Sequence, residues 1–177
     1  MIRLFTRFAV LALATVSILA ACTGGSGDHH AVQIKDAVVT LEGPLFAGPN
    51  QGQYAFKLDL AKELGSAYTE GMTVESARIT AVEVASADSL GLSSFRSFVV
   101  SLASDNADVA MQEAAFKNPL PEGASRVSLD VSSDAELGSL LQQGTVYLVL
   151  DADLAEDYLE GNRSLTLNLS FDITIKS

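Results

Sequence analysis

The chain has no tryptophan, one cysteine, two histidines and four prolines among its 177 residues. Each scarcity removes a class of chemistry. A single cysteine, Cys22, cannot close an intramolecular disulfide, so stability must come from packing. Both histidines, His29 and His30, lie near the N-terminus, and everything after them lacks His and Cys altogether. A Ser-His or Cys-His nucleophilic arrangement therefore has no members there. Positive charge is also scarce: 11 Lys and Arg stand against 22 Asp and Glu, a formal charge of −11. The bases form no patch in sequence, which argues against a nucleic-acid partner, because phosphate binding needs clustered Lys and Arg.

What the chain does have is a run of strict alternation. From Leu165 to Lys176 every odd position is a large apolar residue and every even one is polar. A period of two describes a strand with one dry face, whereas a helix would scatter the same side chains around its axis. Six apolar side chains on one face need an opposing layer, which the other segments must supply.

At the other terminus Arg3 and Arg7 precede an apolar run from Phe8 to Ala21, shorter than the ~20 residues of a spanning helix. This has the form of a secretory signal peptide over residues 1–21. The run ends in Leu19-Ala20-Ala21-Cys22, which resembles the lipobox of bacterial lipoproteins. The resemblance covers residues 1–22 only. It implies that the Cys22 thiol is acylated, that the chain is cut just before it, and that the new amino group is acylated too. An ordinary cleaved signal that leaves a free thiol is the alternative. Each buried methylene contributes about 0.8 kcal/mol, so two or three acyl chains hold the protein to the membrane for good. Thr23 stands where an aspartate would retain many such proteins in the inner membrane, so the resemblance implies an outer-membrane lipoprotein facing the periplasm. Its partners would be the membrane, through Cys22, and a protein of the cell envelope. Cleavage would remove two bases and no acid, leaving nine Lys and Arg against 22 acids, a charge of −13.

Residues 22–31 read as a tether, since Thr23 to His30 is rich in Gly and Ser. His29 and His30 lack any further ligand spacing that would mark a metal site. Residues 32–177 then form one domain with a single core. Strands are expected at Val32–Glu42, at Tyr54–Leu60, at Val74–Ala87 with a bulge near residue 82, and at Leu92–Ser104 as a central strand. Asp105-Asn106 could close a tight hairpin into 107–116, a segment whose Ala, Met, Gln and Glu content leaves helix open as well. Val127, Leu129 and Val131 alternate as another strand. Ser133 and Glu136 have capping-box spacing, which predicts a short helix over 134–142 with Leu137, Leu140 and Leu141 on its apolar face, ending near Gly144. Thr145–Leu150 resembles a strand buried on both faces, and 151–161 an acidic loop. About eight strands with one helix point to an all-β fold, an antiparallel Greek-key β-sandwich of immunoglobulin-like type. An up-and-down barrel is the structural alternative.

The densest acidic group, Asp151, Asp153, Glu156 and Asp157, offers oxygen ligands for Ca²⁺, although Ala155 breaks the EF-hand pattern. A solvated acidic loop is the plainer reading. Asp105 and Asp108 are a weaker pair. Tyr68 and Tyr158 fall in connections and are the candidate contact residues for a glycan or a protein. Tyr54 and Tyr147 fall in strands. Asp88-Ser89-Leu90 and Asn162-Arg163-Ser164 have the form of glycosylation acceptors, a three-residue match that arises easily by chance. Paired acids could also cleave a glycosidic bond if they faced each other across a cleft. No cofactor is implied. The sequence thus favours a non-catalytic interaction or accessory domain, which should display an exposed apolar patch or an unpaired strand edge. A Ca²⁺- or glycan-binding module and, more remotely, a carboxylate glycosidase are the alternatives.

Overall fold

A computed structural model describes residues 27–142 and 144–176; the expected signal segment and Cys22 lie outside the described residues. The alternating C-terminal run is strand β9, Arg163–Lys176. It pairs along its length with β1 (Asp28–Leu41) on one side and β3 (Thr73–Ser86) on the other. Its odd-numbered side chains from Leu165 to Ile175 are 4% exposed or less, and each fully buried Leu, Ile or Phe contributes about 1.5–3 kcal/mol.

With β6 (Arg126–Ser128) these strands make a four-stranded sheet in the order β1-β9-β3-β6. The opposing layer has five strands in the order β2-β8-β4-β5-β7. Its members are β2 (Gly48–Phe56), β4 (Phe95–Ser104), β5 (Gln112–Lys117), β7 (Asp130–Val131) and β8 (Val146–Leu154). All pairings are antiparallel. Two separate sheets with one core between them make a β-sandwich, not a closed barrel. β8 lies between β2 and β4 just as β9 lies between β1 and β3, so the last two long strands lock the first four.

Several expected boundaries move, each for a physical reason. β1 begins at Asp28, so residues 28–31 are ladder and not tether. His29 and His30 are consecutive strand residues and point to opposite faces, which rules them out as a joint ligand pair. β2 starts as early as Gly48 and includes Pro49, tolerated because β2 is a sheet edge where a missing N–H need not face a partner. It stops at Phe56 because Asp59 caps a short helix α1 (Leu60–Leu64), accepting from the Lys62 amide at 3.2 Å. β3 has two register shifts against β9, between Val74 and Ser76 and between Ile79 and Ala81; the second lies just before the expected place and explains the change of parity from Ile79 to Val82. β4 is central, as its apolar density implied. It is joined to β5 through residues 105–111 rather than a two-residue turn. β5 is a strand, its buried Ala114 and Ala115 fitting against the core.

Two corrections concern the middle of the chain. Val127, Leu129 and Val131 do not form one strand. The chain crosses between the sheets at buried Leu129, whose amide donates to Val82 O at 2.9 Å, and Val131 emerges on the far side 37% exposed. The capping box also fails to form. Glu136 Oε1 accepts instead from the Ala77 amide on β3 at 2.9 Å and from the Gly138 amide at 3.1 Å. Docked on β3 in this way, the segment turns helical only at α2, Gly138–Leu141. The apolar face is as expected, with Leu137, Leu140 and Leu141 buried. No helix among the described residues is long and apolar enough to cross a membrane.

Candidate functional site

Strand register gathers four connections at one end of the sandwich. Leu41 pairs with Arg163, Gly48 and Phe95 with Leu154, Ala85 with Arg126, and Phe98 with Lys117. Segments 42–47, 87–94, 118–125 and 155–162 therefore share this end. Asp28, Thr73, Val146 and Lys176 lie at the other, where α1 and α2 also sit.

The loop end is built around Arg163, which is 1% exposed. Its odd number places it in the inward row of β9, one step before Leu165. Nε lies 2.8 Å from Asp88 Oδ2, but its N–H is not aligned with that oxygen, so this contact is ionic rather than a hydrogen bond. Nη2 donates to Gly91 O at 2.8 Å and to Asp88 Oδ1 at 3.3 Å, and Nη1 donates to Ser94 Oγ at 2.9 Å. The guanidinium is also 5.1 Å from the ring centres of Phe95 and Tyr158. One cation thus fastens the 87–94 segment and the 155–162 segment to the start of β9.

The other loops are tied in turn. Leu45 and Tyr158 exchange backbone hydrogen bonds of 2.9 and 2.8 Å, and the Ala47 amide donates to Asp157 Oδ1 at 2.8 Å. Gly43 donates to Asn162 Oδ1 at 2.9 Å, and a methyl group at Gly43 would run into the Gly161 carbonyl. On the far side Leu92 N donates to Ala124 O at 2.8 Å and Leu120 N to Arg96 O at 2.9 Å. Ordered backbone carries exposed apolar side chains here: Phe46 is 59% exposed, Leu90 48% and Leu159 65%. Leu90, Ser93, Ser94, Glu156, Asp157 and Tyr158 line a cavity of about 170 Å³ between the second and fourth segments.

Of the residues the sequence singled out, this end assembles Glu156, Asp157 and Tyr158. Asp151 and Asp153 do not join them, because β8 runs on to Leu154 and carries both on its outer face. Asp151 accepts from Gln51 Nε2 at 2.9 Å, and Asp153 lies 3.8 Å from Arg96 Nη1. The expected acidic loop is split between a strand and a turn, and no group of three metal-ligating side chains occurs among the described residues. Asp105 and Asp108 lie in the 105–111 connection at the opposite end, where Asn106 organises the turn through a 2.9 Å bond from the Asp108 amide. Tyr68 also stands at the opposite end, following the 3₁₀ turn Gly65–Ala67, so it cannot form one platform with Tyr158. Glu156 and Asp157 line the cavity from the same loop and do not face each other across it.

Arg163 and Asp88 escaped the sequence reading except as parts of two short acceptor patterns. The available signal was parity: the inward row of β9, extended one step upstream, lands on a charged residue, and a buried charge requires a partner.

No protein-family model matches the chain, and no curated protein sequence does. Among solved structures, a chain from a study of promiscuous specificity in carbohydrate-binding modules of the β-sandwich superfamily is similar with a TM-score of 0.35 and 6% identity. The match covers 81% of this chain and 56% of that one, so this chain spans little more than half its length. A chain of Mud crab tombus-like virus gives a TM-score of 0.34 at 13% identity, covering 100% of this chain and 94% of its own. A chain of empty-head turnip yellow mosaic virus gives 0.28 at 12%, covering 97% and 89%. Likenesses of this size carry no argument about ligand or assembly, and the sandwich rests on its own strand pairing.

Proposed function

We propose that this chain is a lipid-anchored, non-catalytic β-sandwich of the bacterial cell envelope that binds a partner through its four-loop end. The direction of β1 carries the proposal. It starts at Asp28, six positions after Cys22, and runs 14 residues to Leu41 beside the loops. At about 3.3 Å per residue, roughly 45 Å separate the two ends. A chain held by acyl groups on Cys22 presents the end with Phe46, Leu90 and Leu159 away from its own membrane. The lipobox-like Leu19-Ala20-Ala21-Cys22 supports the anchor, and the absence of His and Cys after His30 supports a non-catalytic role.

Growth with a labelled fatty acid, followed by membrane fractionation, tests the anchor. The parent chain should carry label and sediment with the outer membrane, and Cys22→Ser should lose both. Label-free parent protein in the soluble fraction would overturn the anchored reading.

A further inference from the structure

Resting on the interaction reading above, we infer that the partner is a protein whose contact surface is basic around an apolar centre, with a Lys or Arg side chain seated in the cavity beside Tyr158. Three observations converge. First, the segments 42–47, 87–94, 118–125 and 155–162 contain the acids Glu42, Asp88, Glu122, Glu156, Asp157 and Glu160 and no Lys, Arg or His, while the bases at their borders, Arg96, Lys117 and Arg126, are matched by Asp153, Asp130 and Glu83 on the strands. Only Asp88 among these six forms an ion pair among the described residues, with buried Arg163. Second, Phe46, Leu90 and Leu159 are exposed large apolar side chains carried by these segments: Phe46 and Leu159 adjoin the Leu45–Tyr158 bridge in sequence, and Leu90 lines the cavity. An apolar centre within an acidic rim is complementary to an apolar centre within a basic one. Third, the cavity of about 170 Å³ has Leu90 and Tyr158 for an aliphatic stem and Glu156 for a cationic head, while Asp157 is held by the Ala47 amide.

The same charge disfavours other occupants. Two copies docked by this end would bring their acidic rims together. An anionic bilayer surface would repel the same side chains. Because the loops are fastened through Arg163 and the Leu45–Tyr158 bridge, little backbone ordering opposes docking.

The test uses the full-length anchored chain in cells. A photo-crosslinking phenylalanine analogue replaces Leu159, Phe46 or, as the comparison position, Ala81 on the outer face of β3. Adducts are identified by mass spectrometry. The expected result is one protein captured from positions 159 and 46 and not from 81, through a segment containing Lys or Arg. In isolated envelopes high salt should weaken that capture, and Glu156→Lys should lower its yield about ten-fold, with Glu156→Gln intermediate. Glu156 is exposed, so equal melting of variant and parent keeps a folding defect separate from lost contact. Lipid adducts, adducts with a second copy, or capture indifferent to Glu156 and salt would overturn the inference. A partner captured only from position 81 would overturn it while leaving an interaction module in place. No adduct from any position would count against both.

Discussion

The guanidinium of Arg163 and the carboxylate of Asp88 meet at 2.8 Å where β9 begins, the arginine 1% exposed and the aspartate side chain 38% exposed. The pair spans 75 residues of sequence and joins the 87–94 segment to the strand that carries the core. A buried cation left without its partner costs far more than the intact pair contributes, since its desolvation is no longer offset. Because Asp88 is partly solvated and Arg163 keeps Gly91 O and Ser94 Oγ, Asp88→Ala should lower unfolding free energy by about 1–3 kcal/mol in urea titration. The double variant Asp88→Leu with Arg163→Leu should recover more than half of that loss. If Asp88→Ala costs no more than an ordinary surface change, roughly 0.5 kcal/mol, Arg163 is not what holds this end.

The β1–β2 loop depends on a close approach, because Gly43 packs against the Gly161 carbonyl where no side chain fits. Gly43→Ala must push the two loops apart and should cost about 1–3 kcal/mol. Gly144→Ala, where nothing lies within 4 Å, is the matched control and should change stability by less than about 0.5 kcal/mol. Equal midpoints for the two variants would remove the packing role assigned to Gly43.

The split of the acidic group has a consequence for calcium. Asp151 and Asp153 belong to the β8 ladder face and Glu156 and Asp157 to the following turn. A site filled at 100 times its Kd would raise stability by about 2.7 kcal/mol. Thermal melting should give the same midpoint with millimolar Ca²⁺ as with chelator, and a clear upward shift would restore the metal reading.

How much of this was legible depended on whether a signal was local. The six alternating apolar residues of β9 need only their own spacing to be recognised, and the parity change in β3 already marked a bulge. The Leu137, Leu140 and Leu141 face was also readable. The fate of Glu136 was not, because its competing partner is the Ala77 amide, 59 residues away in sequence. Asp151 and Asp153 read as loop because acids are rare in strands, yet in β8 they meet Gln51 and Arg96, partners far away in sequence. The pairing of Arg163 with Asp88 is long-range in the same way. Parity could expose the buried arginine but could not name its counterion. The cavity beside Tyr158 needed two loops in place at once, and no single stretch of sequence holds that information.

The apolar residues of the loop end should be dispensable for folding if they serve contact. Phe46 and Leu159 are 59% and 65% exposed, so little transfer free energy depends on them in the isolated domain. Phe46→Ser and Leu159→Ser should each shift unfolding free energy by no more than about 0.5 kcal/mol, whereas Leu167→Ala, at a fully buried position in the centre of β9, should cost about 2–5 kcal/mol. Urea titration of the three variants decides the matter. If the loop substitutions destabilise as the core one does, their exposure is misleading and they act as covers for the Tyr158 end of the core. If they leave the domain intact, an apolar surface with no folding role sits on ordered loops, and loss of partner capture by the same variants can be assigned to contact alone.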